Sequence, residues 1–493
     1  MGNRHNVYLV AAEKCGFLLL INSTRPPKIT QREFPYPQNY RMLRRTTILF
    51  CLFATTYLSA QGGFRPLFNG TDLTGWEQFG GEANYEAKNG ELVGTAVVNT
   101  PNSFLCTDRP YGDFILELEV YDDPALNSGV MVRAQWRPTE KQRLIYGYQV
   151  EIDPSPRAYT GGIFDESRRG WLYPLHYNPP ARAAFRNGQW NKMRVEFIGN
   201  ELRTFINDVP AANLIDDLDD SGMICLQVHS IPQRMAGTQV KWRGLKIKEG
   251  ATASDRLAAK LGPPVNLVPN TLTESEKRRG WRLLWDGETT TGWRGAKLDG
   301  FPKQGWKIAD GELHVQASNG GESTNGGDII TIDHFSDFEL SFEFKPTKGA
   351  NSGVKYFVDP TLNKGTGSAI GLEFQILDDR HHPDAKKGVA GNRTVGSLYD
   401  LITAEVLDTP RGKDWRVDDW NRGRIVSKNG KVEHWLNGYK VVEYDRFSQT
   451  FKALVAYSKY KDWENFGRWP AGPILLQDHG DAVAFRSIKV REF

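Results

Sequence analysis

Four side chains in the C-terminal half are of the kinds that move protons or steady a negative charge: Glu373, His479, Asp378 and Lys355. Glu373 stands in the run Gly371-Leu-Glu-Phe-Gln-Ile-Leu377, so Glu373 and Gln375 are two residues apart and share one face of an extended strand. A carboxylate that takes a proton, an imidazole that returns one and an ammonium beside a developing oxyanion make a general acid–base site. An ordinary glycosidase needs a pair of carboxyl groups flanking the bond it breaks. Here Gln375 stands where the second carboxylate would be, and Glu151-Ile-Asp153-Pro-Ser155 in the N-terminal half is also incomplete. Neither half therefore carries the paired-carboxylate motif. Around the four acid–base candidates, Asn351, Gln375, Tyr399, Asp478 and Trp463 have side chains suited to holding a polar ligand, as do Glu151, Arg133 and His229 in the N-terminal half. The run from Asp378 to Asp384 has metal-ligand residue types, but adjacent histidines point apart in an extended loop and no ligand spacing is met. A solvated loop is expected there and no cofactor, with a divalent cation as the alternative.

The elements that must position these groups are short and alternating, as in Phe114-Ile-Leu-Glu-Leu-Glu-Val120, and are divided by Gly, Asn and Asp turns. They also recur in order. LFNGTDLTGW ending at Trp76 returns as LWDGETTTGW ending at Trp293, YGDFILELEV at 111–120 as FSDFELSFEF at 335–344, and NSGV at 127–130 as NSGV at 351–354. Gln189-Trp-Asn191 faces Asp419-Trp-Asn421, and CLQVH ending at His229 faces LLQDH ending at His479. The offset grows from 217 residues at the first tryptophan to 224 at NSGV, 230 at Trp190 and Trp420, and 250 at the final histidine. Such drift is that of one unit duplicated with loop insertions, at a period far too long for a solenoid. Two tandem domains are expected at 64–248 and 279–493, joined by a polar, Pro-containing linker at 249–278. The strand pattern makes the fold all-β, two antiparallel β-sandwiches of the jelly-roll kind. NSGV is expected to bring a Gly backbone close beneath a ligand or a neighbouring strand, or to be a purely structural turn. The halves differ at the stretch that matters: Gln149 replaces Glu373, Glu151 replaces Gln375, Val228 replaces Asp478, and Arg133 is taken as the basic counterpart of Lys355. Catalysis is expected in the second unit, with the first a binding or degenerate partner.

The formal charge of +3 arises at the start of the chain, where residues 1–60 hold eight Lys/Arg against two Asp/Glu; nothing suggests a nucleic-acid partner. From Met42 the sequence MLRRTTILFCLFATTYLSAQ has the basic start, short apolar run and small-residue exit of a signal peptide at 42–60, with Ala60 the last residue removed. The run is too short to span a bilayer comfortably, so a secreted or periplasmic location without a membrane span is expected. Residues 1–41 read as a non-native extension upstream of the true start. Beyond the leader only Cys106 and Cys225 remain, either buried thiols or, in an oxidising compartment, a disulfide.

The ordered set of F/W-x-G-x-x-x-x-G-W, DGEL, GDF-x-L, NSGV, GLEFQILDD, GSLYD at 396–400 and GPILLQDHG at 472–480 resembles the DUF1080, or 3-keto-disaccharide hydrolase, family. Both units match, the second more closely. The resemblance implies a concanavalin-like jelly roll and an exported protein acting on carbohydrate, namely glycosides already oxidised to a ketone at C3. On such a substrate the C2 proton is acidic and the C1 substituent lies β to the carbonyl, so elimination followed by hydration needs one base, one acid and a group to hold the enolate. Two rival readings remain: a non-catalytic, lectin-like carbohydrate-binding protein, and an ordinary glycoside hydrolase acting on β-glucan.

Overall fold

A computed structural model describes residues 63–493 apart from 263, 319, 320, 408–412 and 414. The expected leader at 42–60 and the extension at 1–41 lie outside the described residues. Each repeat is a sandwich of two sheets. The first pairs a nine-stranded with a seven-stranded sheet, and the second an eight-stranded with a five-stranded sheet.

The alternation at 114–120 forms the strand Phe114–Asp122, whose Phe114, Leu116, Leu118 and Val120 face the core. They meet Val130, Val150 and Leu226 of the opposite sheet. On the outer face Glu117 pairs with Lys246 at 2.9 Å and Glu119 with Arg243 at 2.8 Å. In the second repeat Phe342 and Phe344 of the strand Phe338–Pro346 pack on Phe374, the Phe342 ring edge-on at 5.4 Å. Each such fully buried side chain contributes about 1.5–3 kcal/mol to the core.

The segment between the repeats is bonded to both. Val265–Asn266 lies parallel to Val209–Ile215 as an edge strand of the first repeat's larger sheet. The short helix Glu274–Arg278 is capped by Thr273, and its Glu276 forms an ion pair with Lys489 of the second repeat. Cys106 and Cys225 are neighbours on the antiparallel strands Ser103–Thr107 and Met223–Val228, and are joined as a disulfide.

The rise in offset from 230 to 250 residues also has a structural counterpart. After the strand Tyr439–Asp445 the second repeat inserts a helix, Gln449–Ala456, with Ser448 accepting from the Phe451 N–H as its N-cap. The chain then runs through an irregular stretch before Leu475–Leu476. In the first repeat the corresponding strands, Val209–Ile215 and Met223–Val228, are joined by a short loop.

Candidate active site

Three strands of the smaller sheet of the second repeat build the site: Asn351–Asp359, Ile370–Leu377, and Leu475–Leu476 with the residues that follow it. Register sets Lys355 opposite Glu373 and Gly353 opposite Gln375. Because side chains alternate, Val354, Leu372, Phe374 and Ile376 enter the core while Asn351, Lys355, Glu373 and Gln375 share the other face.

The NSGV tetrapeptide divides its work among its residues. Val354 is core. Ser352 donates to the Gln477 carbonyl at 2.9 Å, tying on the third strand, as Ser128 does to the Gln227 carbonyl at 2.7 Å. At Gly353 a Cβ would lie 2.2 Å from the Glu373 carboxylate, and at Gly129 one would lie 2.4 Å from Gln149. Any side chain there would displace the polar group above, so glycine leaves bare backbone beneath it. Asn351 accepts from the Gln375 amide at 3.0 Å, and its own amide meets His479 Nε2 at 3.1 Å. A continuous polar row, Gln375–Asn351–His479, thus runs along the face beside Glu373.

Glu373 is 4% exposed, with Lys355 Nζ at 3.7 Å. Burial pushes its pKa above the ordinary carboxylate value, and the nearby charges of Lys355, Lys459 and His479 oppose that rise only in part. Lys355 in turn donates to Ser368 and to the Ala369 carbonyl, and Ser368 donates to Asp328. Lys459 is pushed down by burial and drawn back up chiefly by Glu373. It comes from the inserted stretch after the helix, its Nζ 4.2 Å from the centre of the Tyr399 ring. Tyr399 donates to Asp384 at 2.6 Å, and its backbone N–H donates to the Glu373 carbonyl.

The structure therefore gathers Glu373, Lys355, Gln375, Asn351 and His479, with Tyr399 at the edge. Asp378 is not free to act on a ligand. It is fully buried and accepts from the Gly349 and Arg380 N–H groups and from His381. Burial alone would raise its pKa, but those bonds outweigh it and hold the group low. The rest of that run disperses: Asp379 pairs with Lys413, and Asp384 with Arg393 and Tyr399. Asp478 is also fully buried, accepting from the Gly327 and Gly480 N–H groups, and holds the loops beside His479. Trp463 packs half-buried against the core cluster.

Arg133 requires correction. The residue opposite Gln149, as Lys355 is opposite Glu373, is Met131. Arg133 sits in a register shift with φ 49°, matched by Phe357 with φ 48° in the second repeat. It is 2% exposed and donates to the Gly112, Gly199 and Asp219 carbonyls and to Asp113, which makes it a bracing residue and not a ligand-binding one. Glu151 and His229, by contrast, do line a common cavity in the first repeat. Three site groups escaped the sequence reading: Lys459, Gln477 and Glu322, the last two hydrogen-bonded at 3.2 Å. Gln477 could have been found, since the glutamine of LLQDH recurs in CLQVH; Lys459 and Glu322 have no counterpart in the first repeat to mark them.

The fold is that of two tandem jelly rolls, each with a polar face on its smaller sheet. The chain belongs to the 3-keto-alpha-glucoside-1,2-lyase-like domain family, whose model matches residues 63–248 and 280–491. It is 35% identical over 237 residues to a 3-keto-disaccharide hydrolase of Bacteroides thetaiotaomicron, an alignment spanning 43% of this chain and 78% of that protein. It is also similar to a crystal structure from Parabacteroides distasonis named as a "putative glycosyl hydrolase", at 28% identity and a TM-score of 0.40, covering 46% of this chain and 99% of the other.

Proposed function

We propose that the second repeat cleaves glycosides oxidised at C3, by elimination and then hydration, in a protein exported to the periplasm or the medium. The observation that carries this reading is a buried carboxylate, Glu373, set against Lys355 and faced by Lys459, with Gln375 and not a second carboxylate beside it on the strand, while Glu322, which also reaches the site, is bonded to Gln477. One base between cations suits proton abstraction next to a ketone better than it suits paired-carboxylate hydrolysis.

In this reading Glu373 takes the C2 proton, and the electrons pass onto the C3 oxygen, which the lysine charges steady. As the C3 carbonyl re-forms, the C1–O bond breaks and the leaving oxygen takes a proton from His479. The Asn351 amide meets Nε2 of that imidazole, which leaves Nδ1, without a partner among the described residues, as the nitrogen from which the proton is given. Water then adds at C1 of the enone, its proton passing to His479, and Glu373 returns its proton to C2, so that both groups are restored and the net reaction is hydrolysis. The name of the Bacteroides relative supports this substrate class. The first repeat has Gln149 and Met131 in place of Glu373 and Lys355, and so has neither this base nor its cation.

The test is to compare a 3-keto disaccharide with its unoxidised parent. The 3-keto sugar should be cleaved and the parent not, and Glu373→Gln should lower turnover by at least about a hundredfold. Equal cleavage of both sugars would refute the reading.

A further inference from the structure

The first repeat keeps the same scaffold but arranges different groups on it. Gly129, like Gly353, leaves bare backbone, and over it meet Gln149, Glu151 and Gln227. These three line a cavity of about 370 Å³ with Asn127, Asp153, Arg157, Phe164, Glu166, Trp171 and His229. Gln149 is 2% exposed and Gln227 wholly buried, yet Gln149 Oε1 and both ends of the Gln227 amide have no hydrogen-bond partner among the described residues. A buried amide group left unpaired costs about 1–3 kcal/mol, so a sheet that keeps three unpaired amide atoms on two of its strands facing one cavity is configured for something that pairs with them.

The chemistry of the lining narrows the ligand. Glu151 accepts from Asn127 at 2.7 Å and from Gln149 at 3.2 Å. Arg157, the cation here, is committed to Asp153 at 2.7 Å and approaches Glu151 at 3.5 Å. With Glu166 also on the wall, three carboxyl groups face one arginine, which disfavours a phosphate, a carboxylate or any other anion. The unpaired groups include both a donor and acceptors, as a ring of hydroxyls requires, and Phe164 and Trp171 supply an apolar side. The volume is at the lower end of small-ligand sites.

We infer that the first repeat is a binding site for a neutral pyranose unit, held by Gln149, Gln227 and Glu151 over Gly129 and not chemically altered there. This goes beyond the cleavage proposed for the second repeat and does not rest on it, because the sugar bound here need carry no ketone.

The test is calorimetric titration of the full chain with trehalose, maltose and cellobiose, and with inorganic phosphate as the anionic comparison. At least one neutral sugar should bind, phosphate should not compete, and Gln227→Leu and Gln149→Leu should each weaken binding about tenfold or more. In the sugar-free protein Gln227→Leu should hold or raise the melting temperature, since it removes a buried amide with neither end paired. That combination separates loss of a site from loss of fold. If either variant fails to fold, Phe164→Ala, which thins the apolar side, serves in its place with the same expected weakening. The inference is overturned if no neutral sugar binds, if phosphate displaces it, or if binding survives Gln227→Leu but is lost in Gln477→Leu, which would place the sugar in the second repeat.

Discussion

Replacing Lys355 with methionine, the residue the first repeat has at that place, isolates what the cation does for Glu373. Nζ and the carboxylate are 3.7 Å apart, and both side chains are almost fully buried. At an effective dielectric constant of about 20 that separation corresponds to roughly 4 kcal/mol of attraction. Lys459 remains nearby and relaxation will screen part of the loss, so the Glu373 pKa should move further up when Lys355 is removed. The sign follows from the base role. Glu373 acts when deprotonated, so the acid limb of the kcat profile should move to higher pH; the variant should lose about ten- to a hundredfold at neutral pH and recover in part as pH rises, the loss that persists being the charge the lysine lends to the C3 oxygen. The assay is the pH dependence of single-turnover cleavage of a 3-keto disaccharide by wild type and Lys355→Met. An equal loss at every pH would mean that the lysine acts on the substrate and not through Glu373. An unmoved acid limb with full activity would refute the pairing altogether.

Glu151 offers a second titration, with its pKa pushed up by burial from the ordinary 4.5 to about 7. A carboxyl raised on folding adds stability that is fully present below pH 4.5 and lost as pH rises through 7; Glu151→Gln should therefore become the more stable protein at pH 8 by up to about 3 kcal/mol and gain little at pH 4, as urea titrations at the two pH values would show. Arg133→Ala removes a buried guanidinium from three carbonyls and Asp113, and should cost at least about 3 kcal/mol by chemical denaturation without abolishing sugar binding. The Cys106–Cys225 bridge spans 119 residues, so reducing it should lower stability by about 2–5 kcal/mol; a melting curve unaffected by reductant would contradict the bridge.

The sheets were legible because the physical requirement was local and repeated. Phe114 to Val120 alternates since one side meets a core and the other meets water, and the same demand in both halves printed the pattern twice. Glu373, Gln375 and Asn351 were legible for the same reason, being fixed to one face by strand geometry alone. Arg133 was misplaced because a bulge with a left-handed residue changes which side chain faces which way, and nothing in the letters around it announces the extra residue. Asp378 misled differently: a carboxylate that satisfies two backbone N–H groups and a histidine is spelled like one that does chemistry. Lys459 arrives on an insertion present in one repeat only, so comparison of the halves could not reveal it, and its approach to Glu373 depends on how a helix and an irregular loop fold back.

Gly353 and Gly129 have a consequence for how such a chain can diversify. Each provides a clearing whose shape comes from backbone and from a serine that fastens the next strand, so the identity of the group standing over it is free to change without rebuilding the sheet. Exchanging glutamate and glutamine between two positions that are two residues apart on one strand face, and lysine for methionine opposite, alters the electrical character of the clearing while leaving its outline alone. A duplicated copy can then wander in reactivity at little cost in foldability, and this chain carries two states of that exploration side by side.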